Sequence, residues 1–289
     1  MNPLQLAILR WYDANLCTSF PAGPFPFGMA FDGANVWVAN NQGNTVTKLQ
    51  ACDGAQLGTY PVGQFPEGVA FDGANVWVTN FGGNTVTKLQ AGSGTALGTF
   101  AVGNGPEGLA FDGANVWVAN SGTNNVTKLS ATNGAVLGAF AAGNQPRAVA
   151  FDGKNVWVTN RLSNNVTKLR ASDGALFGTF PVGTFPLGIA FERGHIWVTN
   201  ANSNNVTKLR ASDGAALGTF AVGSAPRAVV FDGNNVWVAN TFDNTVTVLQ
   251  ASNGAALGTF PVGVAPQNLA FDGANVWVAN SGGNTLSKL

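Results

Sequence analysis

The chain has 289 residues, and its 14 Lys plus Arg balance its 14 Asp plus Glu, so the formal net charge is zero. This balance provides no long-range field to attract nucleic acid or an anionic membrane surface, and neither is expected as a partner. Gly, Asn, Asp or Thr interrupts every apolar stretch before it reaches the roughly 18 to 20 residues that a membrane span requires.

The N-terminal sequence MNPLQLAILRWYDANLC has a short apolar run, with no basic region before it and no small-residue cleavage site after it. The sequence therefore predicts no signal peptide, and the compartment is taken as cytoplasmic by default. Two cysteines, Cys17 and Cys52, are too few for a disulfide framework. We expect a buried thiol at Cys17 and a turn thiol at Cys52, with a disulfide between them as the alternative.

A repeat of 40 residues organises the rest of the chain, as shown by seven tryptophans at this constant spacing: Trp37, Trp77, Trp117, Trp157, Trp197, Trp237 and Trp277. Turn sequences rich in Gly, Asn and Asp divide each copy into four short strands, which leaves no room for a helix. In the copy at residues 65–104 the strands are predicted at Gly68–Phe71, Val76–Thr79, Thr85–Gln90 and Ala96–Val102. Four antiparallel strands in about 40 residues are typical of a β-propeller blade.

The two ends of the chain complement each other. The last copy stops at Leu289 before its fourth strand, and a matching strand is predicted at Asn15–Ala22, in register with Ala55–Val62. We therefore predict an all-β fold in which residues 1–289 form a single seven-bladed β-propeller with four antiparallel strands per blade. Blade seven combines about residues 269–289 with residues 10–23, so that a 3+1 pairing of C-terminal and N-terminal strands closes the ring and removes open sheet edges. A monomer is expected.

The motifs V-W-V-A-N or V-W-V-T-N, N-T-V-T-K-L and G-T-F-x-V-G, with a proline before G-V-A-F, closely resemble YVTN-type propeller repeats and, more loosely, NHL repeats. The resemblance covers nearly the whole chain and implies seven blades or close to it. Function does not follow from it, because such families range from enzymes to interaction modules.

Among enzymes, the repeats resemble those of the virginiamycin B lyase-like superfamily, whose members use a metal ion and histidines on one face to open a cyclic depsipeptide. In that group the tryptophan strand often reads W-F-T-E. This chain has asparagine in place of the acid in every copy, at Asn40, Asn80, Asn120, Asn160, Asn200, Asn240 and Asn280, and its one histidine, His195, replaces a turn asparagine. No catalytic residue, metal site or cofactor is therefore predicted.

Differences among the seven copies indicate which surface carries a function. The turns D-G-A-N and A-S-D-G barely change, whereas variation gathers in the loop before the first strand and the loop between the second and third strands. A propeller places both loops on one face, which we call the top face, and binding residues are common on loops held by a rigid frame. The candidate binding residues are Phe27, Glu67, Phe81, Glu107, Arg147, Arg161, Phe185, Leu187, Arg227, Phe242 and Gln267.

Seven of these candidates follow the loop prolines and are predicted to ring the mouth of the central channel: Phe27, Glu67, Glu107, Arg147, Leu187, Arg227 and Gln267. A mouth that carries both charges, with exposed phenylalanines outside it, would suit a small zwitterion or a peptide with apolar side chains. The alternative is that Glu107 and Arg147 only pair with each other and that the phenylalanines only cover the blade tops.

Two other repeated positions have structural interpretations. We expect a single acid in each D-G-A-N turn to bond the turn N–H groups, since a calcium site needs about six to eight converging oxygens. Those acids are Asp32, Asp72, Asp112, Asp152, Glu192, Asp232 and Asp272. The third-strand lysines are expected nearer the outside of the ring, where they would favour solubility and protect sheet edges. Those lysines are Lys48, Lys88, Lys128, Lys168, Lys208 and Lys288.

These observations favour a non-catalytic scaffold that binds one protein or peptide partner on the top face. A lectin-like protein with carbohydrate sites repeated between blades is an alternative, motivated by the recurring Asn and Trp residues. A lyase or hydrolase similar to the streptogramin-opening enzymes is another, and it would require Glu67 or Glu107 for turnover. Near-identical copies also fit recent amplification or design, without an evolved ligand.

Overall fold

Each 40-residue repeat folds into one four-stranded antiparallel sheet in the computed structural model, which describes residues 18–289. Strands are numbered in chain order, beginning with β1 at Thr18–Pro21. The first strands of the seven blades, β2, β6, β10, β14, β18, β22 and β26, span Pro26–Phe31, Pro66–Phe71, Pro106–Phe111, Pro146–Phe151, Pro186–Glu192, Pro226–Phe231 and Pro266–Phe271. The second strands, β3, β7, β11, β15, β19, β23 and β27, span Asn35–Asn40, Asn75–Asn80, Asn115–Asn120, Asn155–Asn160, His195–Asn200, Asn235–Asn240 and Val276–Asn280.

The third strands, β4, β8, β12, β16, β20, β24 and β28, span Thr45–Gln50, Thr85–Gln90, Asn125–Ser130, Asn165–Arg170, Asn205–Arg210, Thr245–Gln250 and Thr285–Lys288. The fourth strands, β5, β9, β13, β17, β21 and β25, span Gln56–Pro61, Ala96–Ala101, Val136–Ala141, Leu176–Pro181, Ala216–Ala221 and Ala256–Pro261. A single 3₁₀ turn occupies Asn41–Gly43. No helix within residues 18–289 is long and apolar enough to cross a membrane.

The ring closes as the sequence predicts. β1 supplies the fourth strand of blade seven by pairing with β28, with Thr18 opposite Lys288 and Pro21 opposite Thr285. The first strands contact one another in order around the axis, and β26 returns to β2. The seven-bladed fold with 3+1 closure is therefore confirmed. Of the strand expected at Asn15–Ala22, residues 15–17 lie outside the described residues, as does Cys17; Cys52 is an exposed free thiol.

The first strands approach one another at backbone distance, which explains their small residues. A Cβ placed on Gly28 would lie 2.0 Å from the carbonyl oxygen of Glu67 in the next blade, and one on Gly68 would lie 2.4 Å from that of Glu107. Glycine removes this clash. The close approach brings the side chains that follow the loop prolines into one central space.

Apolar side chains fill the gaps between blades. Trp37 and Val46 of blade one pack with Val69, Val76 and Leu89 of blade two, and the other interfaces repeat this arrangement. The indole rings also contact a fourth-strand aromatic ring within their own blade, at centroid distances of 5.1–6.3 Å. Because each sheet buries both faces against its neighbours, the second strands are apolar almost without interruption.

Five of the six third-strand lysines are buried, which differs from their predicted role in solubility and edge protection. Lys128 is buried, its Nζ lies 5.0 Å from the centroid of the Trp117 ring, and it donates to the carbonyl oxygen of Ala171 in the next blade at 2.7 Å. Five other lysines make the same bond to the following blade. The prediction was wrong because a lysine stem packs along an indole while its charged end finds a carbonyl.

The six turn aspartates bond the local N–H groups as predicted and also accept from the tryptophan indole. Glu192 departs from the prediction, because it contacts His195 in place of the turn N–H groups. Asp72 accepts from the backbone N–H groups of Ala74 and Asn75 and from Nε1 of Trp77. The indole bond measures 2.6–2.8 Å in the six aspartate copies and 3.4 Å in the Glu192 copy. Each aspartate thus ties a turn to the interface between blades.

We expect these carboxylates to make stability fall in acid. Partial burial acts to raise the pKa of Asp72, but the bonds from Trp77, Ala74 and Asn75 outweigh it and hold the pKa below the ordinary 3.8. The other five aspartates behave alike. Because the folded-state pKa is depressed, this stabilisation is complete above the unfolded-state pKa and is lost as the pH falls through the folded value.

Melting curves at pH 7 and pH 3 test this expectation. Asp72→Asn should lower the melting temperature at pH 7 and reduce the difference in melting temperature between pH 7 and pH 3. The triple variant with Asp112→Asn and Asp152→Asn should reduce this difference further. The control is Asp173→Asn, because the Asp173 carboxylate contacts the N–H of Ala175 in an exposed turn away from any indole. An unchanged difference between pH 7 and pH 3 in the triple variant would contradict the expectation.

Ring closure generates a second prediction. A chain without residues 1–23 lacks β1, so the outer edge of β28 opens, and we expect an aggregated or opened product. Moving residues 10–23 to follow Leu289 restores the 40-residue spacing, and this permutant should remain a soluble monomer. Size-exclusion chromatography and melting curves compare the two. The prediction fails if the truncated chain is a monomer that melts like the full chain.

Candidate functional site

The two variable loops lie at the same end of every blade, as the sequence predicts. The inter-blade loop precedes the first strand, and the top hairpin loop joins the second strand to the third. In blade two, Pro66 pairs with Asn80, and the N–H of Phe81 donates to the carbonyl oxygen of Phe65 at 3.0 Å. The two loops therefore touch, and together they form the top face.

An asparagine in each top hairpin loop fixes the inter-blade loop of the next blade. Asn44 has φ +52°, and its Oδ1 accepts from the N–H of Phe65 at 2.9 Å. The same bond occurs in all seven copies, at 2.8–3.0 Å. Asparagine tolerates this left-handed conformation better than most residues, so it suits both tasks. The top loops are thus held by side chains that the repeat preserves.

The residue held by this bond is itself left-handed, and in three copies it is phenylalanine. Phe25, Phe65 and Phe185 have φ values of +55°, +51° and +60°, where another copy uses Gly105. A bulky residue with positive φ is a true outlier and costs about 1–2 kcal/mol relative to ordinary backbone. Gln145, Ala225 and Ala265 share this conformation in three other copies, so the frame holds a strained residue at six places on the top face.

The ring residues occupy and close the mouth of the central channel. A cavity of about 260 Å³ is lined by all seven of them and by the residues that follow in each first strand. Phe27, Glu107, Leu187 and Gln267 are buried, and Glu67, Arg147 and Arg227 are only partly exposed. The mouth closes because seven first strands that meet at backbone distance leave room for only a few side chains.

Arg147 joins both acids of the ring. Its guanidinium pairs with Glu67 at 3.2 Å and also with Glu107, which is 3% exposed. The expected pairing of Glu107 with Arg147 is therefore present, and Glu67 is a further partner. The guanidinium carbon also lies 5.4 Å from the centroid of Phe27, across the axis. Burial lowers the pKa of Arg147, while Glu67 acts to raise it.

The second ring arginine is not paired in this way. Arg227 has its guanidinium carbon 4.9 Å from the Phe27 centroid, but within residues 18–289 it makes no hydrogen bond or ion pair, and its Nε is buried. Burial lowers the pKa of Arg227 to about 9; the charge of Arg147 acts in the same direction, and Glu67 opposes it. Arg227 remains a cation at neutral pH, with an unused donor.

The remaining ring residues have structural contacts. Gln267 donates from Nε2 to Oγ of Ser281 at 3.0 Å. The backbone carbonyl of Leu187 accepts from Oγ1 of Thr159, at 2.9 Å. Equivalent threonines, Thr79 and Thr199, bond the carbonyls of Glu107 and Arg227. These threonines were not among the predicted site residues, although each is the threonine of a V-W-V-T-N motif.

The four other candidates lie outside the ring on the top face. Phe81 and Phe242 are 39% and 78% exposed, as predicted for aromatic side chains there. Arg161 bonds Gln145 through Nε at 3.0 Å and lies 5.3 Å from the centroid of Phe185. The structure thus divides the candidates into a closed central group and an outer group in which Phe81 and Phe242 are exposed and Arg161 and Phe185 are partly buried.

A groove of about 360 Å³ connects the two groups between blades five and six. Leu187 and Arg227 line its inner end, and Phe185 and Phe242 line its outer part. The lining is completed by small or uncharged polar residues of the adjoining loops: Ala201, Asn202, Asn204, Ser224, Ala225 and Thr241. The inner end meets the closed channel mouth, since Leu187 and Arg227 line both spaces.

The histidine lies at the opposite end of the blades. Nδ1 of His195 is 3.1 Å from Oε2 of Glu192, in the turn that joins the first and second strands of blade five. Its side chain is half-buried by this contact and is less exposed than the turn position led us to expect. Among residues 18–289, no three His, Cys, Asp or Glu side chains group closely enough to hold a metal ion.

The recurring Trp and Asn residues that motivated a lectin-like interpretation are inside the frame. Six of the seven repeated indoles have no exposed surface, and Trp237 is partly buried. Asn80 is fully buried and donates to Thr85 and Thr87. A ligand on the surface therefore has no access to most of these side chains.

Comparison with known proteins defines the fold class. No protein-family model and no curated protein matches the chain. Among solved structures, Kuenenia stuttgartiensis hydrazine synthase is similar over 92% of this chain and 95% of its own, with 19% identity and a TM-score of 0.82. A streptogramin B lyase structure is similar over 94% and 96%, with 18% identity and a TM-score of 0.81.

A catalytically inactive virginiamycin B lyase from Staphylococcus aureus with quinupristin is similar over 94% of this chain and 98% of its own, with 18% identity and a TM-score of 0.82. At this level of identity the similarity establishes a shared seven-bladed propeller architecture. The residues of the site must carry any functional argument.

The ion cluster at the axis generates a stability prediction. Arg147→Gln leaves the buried Glu107 and the partly exposed Glu67 without their cation and should cost about 3 kcal/mol of unfolding free energy. Adding Glu67→Gln and Glu107→Gln removes the unpaired charges and should recover most of this loss. Urea denaturation measures both variants. Arg210→Gln is the control, because its ion pair with Asp213 is exposed and should contribute little. An equal effect of Arg147→Gln and Arg210→Gln would contradict the prediction.

Proposed function

We propose that this chain is a non-catalytic scaffold that binds one protein or peptide partner on its top face. The observation that carries the proposal is the concentration of aromatic and arginine side chains on that face, in loops that differ from copy to copy while the rest of the repeat stays nearly constant. Aromatic residues and arginine are enriched among the residues that dominate protein interfaces.

The strained phenylalanines support the proposal. Phe25, Phe65 and Phe185 occupy a left-handed position at which glycine is accepted in another copy. Phe65 is 49% exposed, so burial of its ring does not fully offset the backbone cost. Strain of this kind is concentrated at binding and active sites. A partner that covers these rings would account for their retention.

Two further observations favour binding over catalysis. Glu67 and Glu107 share the guanidinium of Arg147, which makes them poor candidates for a pair of free catalytic carboxylates. His195 is bound to Glu192 at the opposite end of the blade from the variable loops. An enzyme of the streptogramin-opening type would need other residues on this face.

Selection of a displayed library of random peptides on the immobilised full chain provides the test. Selected peptides should bind with a stoichiometry near one in calorimetry. A triple variant with Phe81→Ala, Arg161→Ala and Phe242→Ala should weaken binding at least tenfold, because truncated contact residues of these types commonly cost about 2 kcal/mol or more. The matched control carries Lys154→Ala, Arg193→Ala and Asn234→Ala in exposed turns of the opposite face, and it should bind normally.

The other hypotheses give different results. A glycan panel that binds with a stoichiometry near seven would contradict the proposal and favour the lectin-like alternative. Turnover of quinupristin that is lost on substitution of Glu67 or Glu107 would contradict the non-catalytic part. Peptides whose binding is lost in the opposite-face control would place the site elsewhere.

A further inference from the structure

Arg227 differs from the other two arginines of the top face in having no acceptor. Arg147 pairs with two carboxylates, and Arg161 donates to Gln145. Arg227 contacts the ring of Phe27, but within residues 18–289 none of its nitrogens donates a hydrogen bond, and the unused Nε is buried. A buried donor on a cation that lacks a partner carries a substantial desolvation cost, which an anion would remove.

The charges around Arg227 also favour an anion. The two nearby acids of the ring, Glu67 and Glu107, are both bound to Arg147. Arg147 and Arg161 act to lower the pKa of Arg227, and Glu67 offsets this only in part. Three guanidinium groups therefore lie near only two carboxylates. One further negative charge at Arg227 would make this cluster of arginines and glutamates neutral.

The groove between blades five and six gives access to Arg227. Its described lining contains one charged side chain, that of Arg227, at the inner end. Phe185 and Phe242 supply apolar surface farther out. The nearby acid Asp243 accepts the N–H of Ser224 at 2.7 Å and is not among the residues that line the groove. The groove thus combines a cationic inner end with aromatic walls.

The closed inner end favours a chain terminus over a carboxylate side chain. A peptide that lies in the groove with its carboxylate at Arg227 meets the packed side chains of the ring, among them the buried Leu187 and Phe27. A peptide that ends there meets no such obstacle. The volume of about 360 Å³ is at the low end for small-ligand sites and is suited to the last residues of a chain.

The parts of the groove are held in place before any ligand binds. Thr199 donates to the carbonyl oxygen of Arg227 at 3.0 Å, and Asn164 accepts the N–H of Phe185 at 2.9 Å. Arg161 lies over the Phe185 ring. Fixed positions reduce the entropy lost on binding.

We propose that this groove binds the C-terminal carboxylate of a peptide or protein, with Arg227 as the carboxylate-binding residue and Phe185 and Phe242 in contact with apolar side chains near the terminus. This inference rests on the proposed top-face function and specifies the chemistry of the partner. It predicts one site per ring, because Arg147, the ring arginine at the equivalent position of blade four, is already paired with Glu67 and Glu107.

The test uses the full chain and three pools of N-acetylated tetrapeptides whose last two residues are drawn from Leu, Ile, Val and Phe. The first pool has free C-terminal acids, and the second has C-terminal amides. A third pool of amides carries Asp at an internal position. Fluorescence-detected titration compares their affinities, and the ¹⁵N signal of Arg227 Nε is followed by NMR during titration with sodium acetate against sodium chloride.

We expect the acid pool to bind at least tenfold more tightly than either amide pool, since a charge-assisted pair contributes about 1.5–3 kcal/mol. Arg227→Gln should remove the preference for acids over amides, and Arg227→Lys should reduce this preference. Phe242→Ala should weaken all pools and preserve the ratio. Arg210→Gln, which changes an exposed arginine elsewhere, should alter nothing. Acetate should shift the Arg227 signal.

Each contrary result has a distinct meaning. Equal binding of acids and amides, or an acid preference that survives Arg227→Gln, overturns the role of Arg227 but leaves a top-face peptide site. Tighter binding of the internal Asp pool overturns the chain-terminus part. Absence of binding by every pool overturns this inference, while the displayed-library selection decides the proposed function separately. If Arg227→Gln does not fold, an Arg227 signal unmoved by acetate overturns the inference.

Discussion

Burial of one indole between each pair of neighbouring blades is the interaction on which the structure depends. A four-stranded sheet of this composition cannot bury both of its faces by itself. Trp117 is fully buried, and it packs with Val149 and Leu169 of the next blade. A buried indole removes roughly 150–250 Å² from water, which corresponds to about 4–6 kcal/mol before the entropy of ordering is subtracted. Asp112 and Lys128 then fix the ring in position through its N–H group and its face.

Because the frame is stabilised between blades, the top loops can vary without disturbing it. The link between frame and loop is a backbone contact: Asn44 Oδ1 accepts the N–H of Phe65, whatever side chain residue 65 carries. The same position holds Phe, Gly, Gln or Ala in different copies, with nearly the same φ. The repeated asparagine therefore fixes the backbone conformation of the loop independently of the side chain that the loop carries. This bond explains how strained phenylalanines are accommodated on the top face.

The sequence was sufficient to predict the number of blades, the 3+1 closure, the loops of the top face and the seven residues that lie around the axis. The 40-residue spacing and the alternating strand direction determine all of these. It was not sufficient for contacts across the axis. Copy alignment places Phe27 and Arg147 in one ring, but side-chain direction and the small central volume decide that they touch and close the mouth. The lysine error was avoidable. Val248 replaces lysine in one copy, and an apolar substitute in a third strand indicates burial.

Seven similar blades provide equivalent inter-blade positions, yet the axis makes them chemically different. Seven side chains share a cavity of about 260 Å³, so seven copies of one charged residue would repel and seven copies of one large residue would not fit. The ring avoids both the repulsion and the crowding because it contains two acids, two bases and three uncharged side chains. Between blades three and four the inner ends are Glu107 and Arg147, which satisfy each other. Between blades five and six they are Leu187 and Arg227, and no acid within residues 18–289 pairs with this cation. A partner bound through the inner end of a groove would therefore find one suitable position in the ring, although the fold repeats seven times.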